Sequence, residues 1–374
     1  MLRFLTAGES HGPMLTGILE GMPPGVKVSL EELKVEQARR RWCYGRGGRA
    51  SIEKDEIRIT GGVQHGITTG APISVVIPNR DYENWANTHR PITSPRPGHA
   101  DFAGAVKYGF RDARAVAERS SARETAVRVA CGYFARCLLR EVGVQVVSWV
   151  TSIGNETADL GSRSRRLSDP MYAEELGILA RQSDVRCPDP DASCKMIQCI
   201  ERAREQGTSL GGVFEVAALD VPCGLGSYVH WDRRLDSRLA AQIMSIPGVK
   251  AVEIGAGFDL ARMQGYEAQD EFIRSEHRVS RCTNMAGGIE GGVSNGEMIL
   301  ASAAVKPVPT QSKPLRSVDM VTGEEAPAHL ERTDVCVVGS TAVVAESLVC
   351  LVLADEWLRR HGQDGCGISA RCGR

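Results

Sequence analysis

Arg119-Ser120-Ser121-Ala122-Arg123-Glu124-Thr125 is the stretch on which the reading of this chain turns. Ser121 and Glu124 stand at the capping-box spacing S-x-x-E, which satisfies unpaired N–H groups at the start of a helix. Behind them Ala122, Ala126, Val129, Ala130, Tyr133, Phe134, Cys137 and Leu138 recur at helical spacing. The pattern predicts a long helix that begins at Ser121 and buries its apolar face. Its N-terminal N–H groups and positive dipole end would face Arg119, Ser120 and Arg123, a seat for an anion. Taken alone, the segment also fits an ordinary capped helix with two solvated arginines.

Two loops elsewhere have matching chemistry. Gly8-Glu9-Ser10-His11-Gly12 follows the short apolar stretch Leu2–Leu5, and places a carboxylate, a hydroxyl and an imidazole in one glycine-bounded turn. Arg96-Pro97-Gly98-His99-Ala100-Asp101 repeats the arrangement, with prolines that stiffen the approach and a carboxylate two residues beyond the histidine. An imidazole exchanges its proton near neutral pH, so two such loops suit a site with two proton transfers; the alternative is two unrelated turns. Arg39, Arg40, Arg41, Arg46 and Arg49 fall within eleven residues. Arginine presents a planar, permanent cation suited to carboxylate and phosphate, and the cluster reads as anion binding. Gly45–Ala50 fits G-x-G-x-x-A, but it follows a basic helix rather than a strand, so no dinucleotide fold is assigned.

These segments, together with Asn79-Arg80-Asp81, Gly287-Gly288 through Gly296, Lys306–Thr310 and Arg332 to Glu346, resemble the chorismate synthase family in order and spacing over nearly the whole chain. The resemblance implies helices sandwiched between two antiparallel sheets, assembled as a homotetramer. It implies elimination of phosphate from 5-enolpyruvylshikimate 3-phosphate to give chorismate, with reduced FMN required and no net oxidation. By resemblance His11 and His99 are proton donors, His11 to the departing phosphate and His99 to the flavin. Asp334 matches a carboxylate near the flavin, and stands equally as a proton acceptor or as the ion-pair partner of Arg332. Arg119, Ser120, Ser121, Pro247, Gly248, Gly291, Lys306, Pro307, Val308, Pro309, Thr310 and Arg332 fall on flavin-binding positions. Arg40, Arg46, Arg49 and Arg123 are assigned to substrate anions. Arg40 and Arg46 also match positions linked to NADPH in some members; here NADPH enters only indirectly, as the source of reducing equivalents for an external flavin reductase. The chain departs from the family pattern at Pro247-Gly248, Gly207-Thr208, Val335 and Ala342.

The remaining signals set bounds. The chain has 374 residues, 42% of them hydrophobic, and a formal net charge of −1, which gives no general pull toward nucleic acid or membrane. No uninterrupted apolar run nears the ~20 residues that span a bilayer, and Met1–Gly12 does not read as a signal peptide, so a cytoplasmic enzyme is expected. Twelve cysteines without a C-x-x-C pair read as reduced thiols, and no metal site is expected. Glu56–Thr60, Pro72–Ile77, Val144–Thr151, Val213–Leu219, Lys250–Ile254 and Met298–Val305 read as strands. Ser29–Arg41, Pro190–Arg204, Leu235–Ser245 and Thr341–Arg360 read as helices, the last apolar on most faces. Strands and helices do not alternate strictly, which argues for one α+β domain over residues 1–374 rather than a doubly wound sheet. Gly154–Ser168 is the expected mobile surface loop, and residues 362–374 a flexible Gly- and Cys-containing tail.

Overall fold

The structure is a computed structural model and describes residues 1–48, 52–88, 90–274 and 279–362. In chain order the elements that build the frame begin with strands β1 (Arg3–Ala7) and β2 (Met14–Glu20), helix α1 (Leu30–Arg41), and strands β3 (Arg58–Gly61) and β4 (Ile73–Pro78). Helices α2 (Asp101–Tyr108), α3 (Arg114–Arg119) and α4 (Thr125–Glu141) follow, then β5 (Gln145–Ile153) and β6 (Glu156–Thr157). The rest is α5 (Arg163–Ser168), α6 (Pro170–Gln182), α7 (Pro190–Gln206), β7 (Gly212–Leu219), α8 (Leu235–Met244), β8 (Val249–Ile254), β9 (Ile299–Val305) and α9 (Val338–His361). One sheet runs β1-β2-β4-β3 and the other β8-β9-β7-β5-β6, and every ladder within them is antiparallel. The fold is α+β, as the sequence implied.

Alternation explains how each sheet is covered. In the first sheet Leu15, Leu19, Ile73, Val75 and Ile77 point inward and are fully buried beneath α4. The opposite face is uncovered in the single chain: Leu5 is 56% exposed, and Met14 and Ile18 are each 43% exposed. The second sheet is covered on both faces. Val146, Val150, Phe214 and Val216 pack into the main core with α9. Val147, Trp149, Ala217 and Leu219 pack on the other side with Ala173, Leu176 and Ala180 of α6.

Two central helices join the layers. Thirteen of the 17 residues of α4 are buried, which places it inside rather than on a surface. A Cβ on Gly17 would lie 2.3 Å from Val127 of α4, and one on Gly132 would lie 2.4 Å from Cβ of Ser347 on α9. Missing side chains therefore set how closely α4 approaches the sheet on one side and α9 on the other. Helix α9 is long and apolar enough to cross a membrane, which a search for uninterrupted apolar runs misses. Its most apolar window is 100% buried within the fold, so it is a core helix. It carries a fully buried carboxylate, Glu346, which accepts from Arg39 (2.8 and 2.9 Å), Arg136 (2.7 Å), Arg186 (3.3 Å) and Ser148 (2.6 Å). Burial alone would raise its pKa, but the three guanidiniums hold it far below the usual carboxylate range.

Most element positions agree with the sequence reading to within two or three residues. Two expectations are corrected. Ser121 does not open the long helix: a 3-10 turn, Ala122–Glu124, comes first, and α4 starts at Thr125. The capping box is incomplete, because the Glu124 carboxylate turns to Thr6 Oγ1 (2.7 Å) and Arg128 (2.8 Å) instead. Gly154–Ser168 is an anchored segment. It holds β6 and α5, buries Leu167, and ties Arg163 to Glu253 and Asp259. The 362–374 tail lies, from residue 363, outside the described residues.

Candidate active site

The first requirement of the site is to hold the two histidine loops in place, and different elements do so. The His11 loop joins β1 to β2. Asn79 pins it by donating to the carbonyls of Glu9 (3.1 Å) and Gly12 (2.7 Å), and Ser10 N–H donates to Glu118 O (3.2 Å). His11 Nδ1 lies 2.8 Å from Glu118 Oε1, and the ring stacks on Trp85 with centroids 3.8 Å apart. The His99 loop leads into α2. Gly98 takes φ +78, a left-handed value that favours glycine, and His99 Nδ1 lies 2.6 Å from Asp101 Oδ1. Burial pushes the Glu118 and Asp101 carboxyls up, but their histidine partners, with Arg96 for Asp101 and Arg114 for Glu118, outweigh it, so both stay below the ordinary range.

These loops open on one cavity of about 1280 Å³ between the first sheet's helices and the 244–250 and 306–310 segments. Twelve Arg and Lys residues line it against six Asp and Glu, although the whole chain is slightly acidic. Arg119 donates to Thr6 O, Thr6 Oγ1 and Gly8 O, and Lys306 donates to Gly98 O. Both therefore meet neutral oxygens and keep their charge for an incoming anion. Deeper in, Arg40 and Arg123 both bond to Asp55, whose carboxyl is buried yet held at about 2 by the two guanidiniums. Arg40 Nε and Arg46 Nε are buried without a hydrogen-bond partner among the described residues. A buried guanidinium N–H left unpaired is costly, and an anionic ligand would relieve that cost.

Of the residues singled out from sequence, His11, His99 and Asp334 all line this cavity, as do Arg119, Ser120, Ser121, Pro247, Gly248, Arg332 and the run Lys306–Thr310. Arg40, Arg46 and Arg123 line it too. Gly291 does not. It turns the hairpin between Ile289–Glu290 and Val293–Ser294, away from the cavity. Arg49 lies outside the described residues. The suggested Arg332–Asp334 pair is not formed. Arg332 reaches back to Asp81, while Asp334 pairs with Arg46 at 2.9 Å and accepts from Gly47 N–H at 2.7 Å. Ser120 and Ser121 are committed internally, the first to Val116 O and the second to Ser10 and Arg123 N–H.

The sequence reading passed over Glu118, Trp85, Asp55 and Glu331. Two of the pairs that make them matter span long stretches of chain, 107 residues for His11–Glu118 and 217 for Arg114–Glu331, and no local spacing announces those pairs. His329 also lines the cavity, with Nε2 3.5 Å from Glu331. Val335, one of the departures noted above, uses its N–H: it donates to Gly45 O at 2.7 Å, a bond a proline could not make.

Comparison with known proteins adds a separate line of support. The family model for chorismate synthase matches residues 2–358. A chorismate synthase from Geobacillus kaustophilus is 50% identical over 376 residues, covering 97% of this chain and 95% of that protein. One from Alkaliphilus metalliredigens is 48% identical, with 97% and 96% covered. A solved chorismate synthase crystal structure is similar with a TM-score of 0.80 at 38% identity, covering 98% of this chain and 94% of that one.

Proposed function

Since the chain belongs to the chorismate synthase family, and so is a lyase of the shikimate pathway that eliminates phosphate from 5-enolpyruvylshikimate 3-phosphate to form chorismate, we propose that it works with reduced FMN held beside the substrate in the cavity of His11, His99 and Asp334. The observation that supports this most is the cavity itself. Its volume of about 1280 Å³ exceeds the roughly 300–1,000 Å³ of an ordinary single-ligand pocket, and its excess of fixed cations suits two ligands that together bring several phosphate and carboxylate charges.

The residues divide by place. Arg119 and Lys306, both without a carboxylate partner among the described residues, would hold the flavin phosphate, and Pro247, Gly248, Pro307–Thr310 and Arg332 would border the ring system. Gly291 has no place in this division within one chain. Arg40, Arg46 and Arg123, with Arg49, would meet the substrate's carboxylates and phosphate, using among others the buried unpaired Arg40 Nε and Arg46 Nε. When bound there, reduced flavin would supply the electron density that assists loss of the phosphate, with no net oxidation. His11 protonates the departing phosphate. His99 holds a proton at the flavin edge. Asp334, held in place by Arg46 and Gly47 N–H, accepts the ring proton that is lost.

The reading extends to the whole protein: a single domain in the cytoplasm, supplied with reduced flavin by an external reductase that draws on NADPH. The uncovered apolar face around Leu5, Met14 and Ile18 favours association, and a homotetramer is the state proposed. An anaerobic assay with chemically reduced FMN and 5-enolpyruvylshikimate 3-phosphate tests the central reading. Turnover should require the reduced flavin without consuming it, and turnover by rigorously flavin-free protein would overturn it.

A further inference from the structure

The two histidine loops are 88 residues apart in sequence, yet one series of ion pairs joins them. From His11 it passes to Glu118 (2.8 Å), whose same oxygen lies 3.3 Å from Arg114. Arg114 reaches Glu331 Oε1, and the other oxygen of Glu331 lies 3.4 Å from Arg96. Arg96 then forks onto Asp101 at 2.7 and 2.9 Å, and Asp101 meets His99 at 2.6 Å. Glu331 divides its two oxygens between the two halves and is the link between them.

The arrangement constrains both rings. An ionised carboxylate can only accept, so at 2.6 Å Asp101 takes the Nδ1–H of His99, and Arg96 Nη2, 3.2 Å from that nitrogen, also donates to Asp101. His11 likewise turns Nδ1 to Glu118, which also accepts from the His11 backbone N–H at 2.6 Å. A carboxylate on Nδ1 fixes the tautomer and leaves Nε2 as the exchanging atom. The arginines in turn hold the carboxylates. Arg114 also stands over Trp85, 5.2 Å from the ring centroid, and that ring stacks on His11. A shift of Arg114 would therefore disturb His11 through both its carboxylate and its stacking partner.

We propose that Glu331 is a positioning residue that holds Arg114 and Arg96 in place and thereby fixes His11 and His99 together, each with Nδ1 on a carboxylate and Nε2 toward the cavity. Burial raises the Glu331 carboxyl, but His329, Arg114 and Arg96 bring it down to about 2, so it is anionic wherever the enzyme works. With that charge removed, Arg114 and Arg96 lose the anion they share, and each is left with the carboxylate of its own half.

The proposal deepens the reading of His11 and His99 as proton donors, and its test does not depend on that reading. Glu331→Gln keeps the shape and removes the charge. Ring 15N shifts of His11 and His99, assigned with the His11→Ala and His99→Ala proteins, report tautomer and protonation in the ligand-free full chain. The wild type should show Nδ1–H at both rings, Glu331→Gln should weaken that preference at both, and turnover should fall roughly tenfold or more with KM little changed. Glu118→Gln should alter His11 alone, and Asp101→Asn His99 alone. Unchanged ring signals at both histidines in Glu331→Gln, or a change at only one, would overturn the proposal whatever the activity. Should Glu331→Gln fail to fold, Glu331→Asp, which keeps the charge on a shorter arm, should show a weaker shift of the same two rings, and no shift there overturns it equally. Near-normal turnover in His11→Ala and His99→Ala would instead sink the functional reading and leave the positioning claim standing on the ring signals.

Discussion

Replacing Asp55 with Asn isolates what the cavity floor contributes to stability. Asp55 is fully buried and takes φ +49, a left-handed value that asparagine adopts readily, so the substitution removes charge without forcing the backbone. Its carboxylate bonds Arg40 at 2.6 Å and also Arg123, and both arginines are buried. Burial and the guanidiniums of Arg123 and Arg46 act to lower the Arg40 pKa, and Asp55 only partly offsets them. The drop of the Asp55 carboxyl from 3.8 to about 2 corresponds to about 2 kcal/mol at about 1.4 kcal/mol per unit. Breaking a buried ion pair by removing one partner costs roughly 3–5 kcal/mol. Arg123 keeps Asn79 (3.1 Å) and Glu53 (3.4 Å), which softens the loss. Asp55→Asn should therefore destabilise the fold by about 2–4 kcal/mol at pH 7. A carboxylate with a depressed folded pKa contributes fully above its unfolded value near 3.9, and loses that contribution as pH falls toward 2. The gap between the two proteins should narrow across that window. Urea unfolding followed by tryptophan fluorescence, at equal protein concentration and ionic strength, measures it at pH 7 and in steps below pH 5. A gap under about 1 kcal/mol at pH 7, or one that stays constant from pH 5 down to 2.5, would refute the reasoning.

Further outcomes test other layers. His11→Ala and His99→Ala should each lower turnover by about 10²–10⁴-fold with an unchanged thermal melt, since both rings sit in loops outside the apolar core; loss of stability without a rate defect would point to a structural role. His99→Ala should alter the spectrum of bound reduced FMN and His11→Ala should not; the reverse pattern would exchange their roles. Gly132→Ala should destabilise by about 1–3 kcal/mol, because its Cβ would lie 2.4 Å from Ser347 Cβ and 2.7 Å from Ser347 O. In an uncrowded helix that same change stabilises, so a melt unchanged or raised would show that α4 and α9 are not in contact there.

Much of the frame could be read locally. Val, Ile and Leu in β4, β5, β7 and β9 mark buried strands, and α7 starts at Pro190, as read from the sequence, with Asp189 as its cap. The histidine loops and the arginine cluster were legible because each gathers its chemistry within a few residues. What failed was local reasoning about groups with distant partners. Glu124 has capping-box spacing, yet Thr6, 118 residues away, takes its carboxylate. Asp334 has Arg332 beside it, yet pairs with Arg46. Gly154–Ser168 looks like a loop from its polarity alone, but its arginines are anchored to Glu215, Glu253 and Asp259 across the sheet.

The buried Glu346 also has a consequence for the chain during synthesis. Its arginine partners are translated 307, 210 and 160 residues earlier. At about 5–20 residues per second, Glu346 follows Arg39 by roughly 15–60 s, and until then the carboxylate within reach of Arg39 is that of Glu36, three residues before it. Until α9 emerges, β5, β7 and α4 keep an apolar slot open, with Arg39, Arg136 and Arg186 around it. The middle layer therefore closes last, and the nascent chain passes through a long interval in which the apolar residues that α9 will cover and the arginines that Glu346 will join are exposed together.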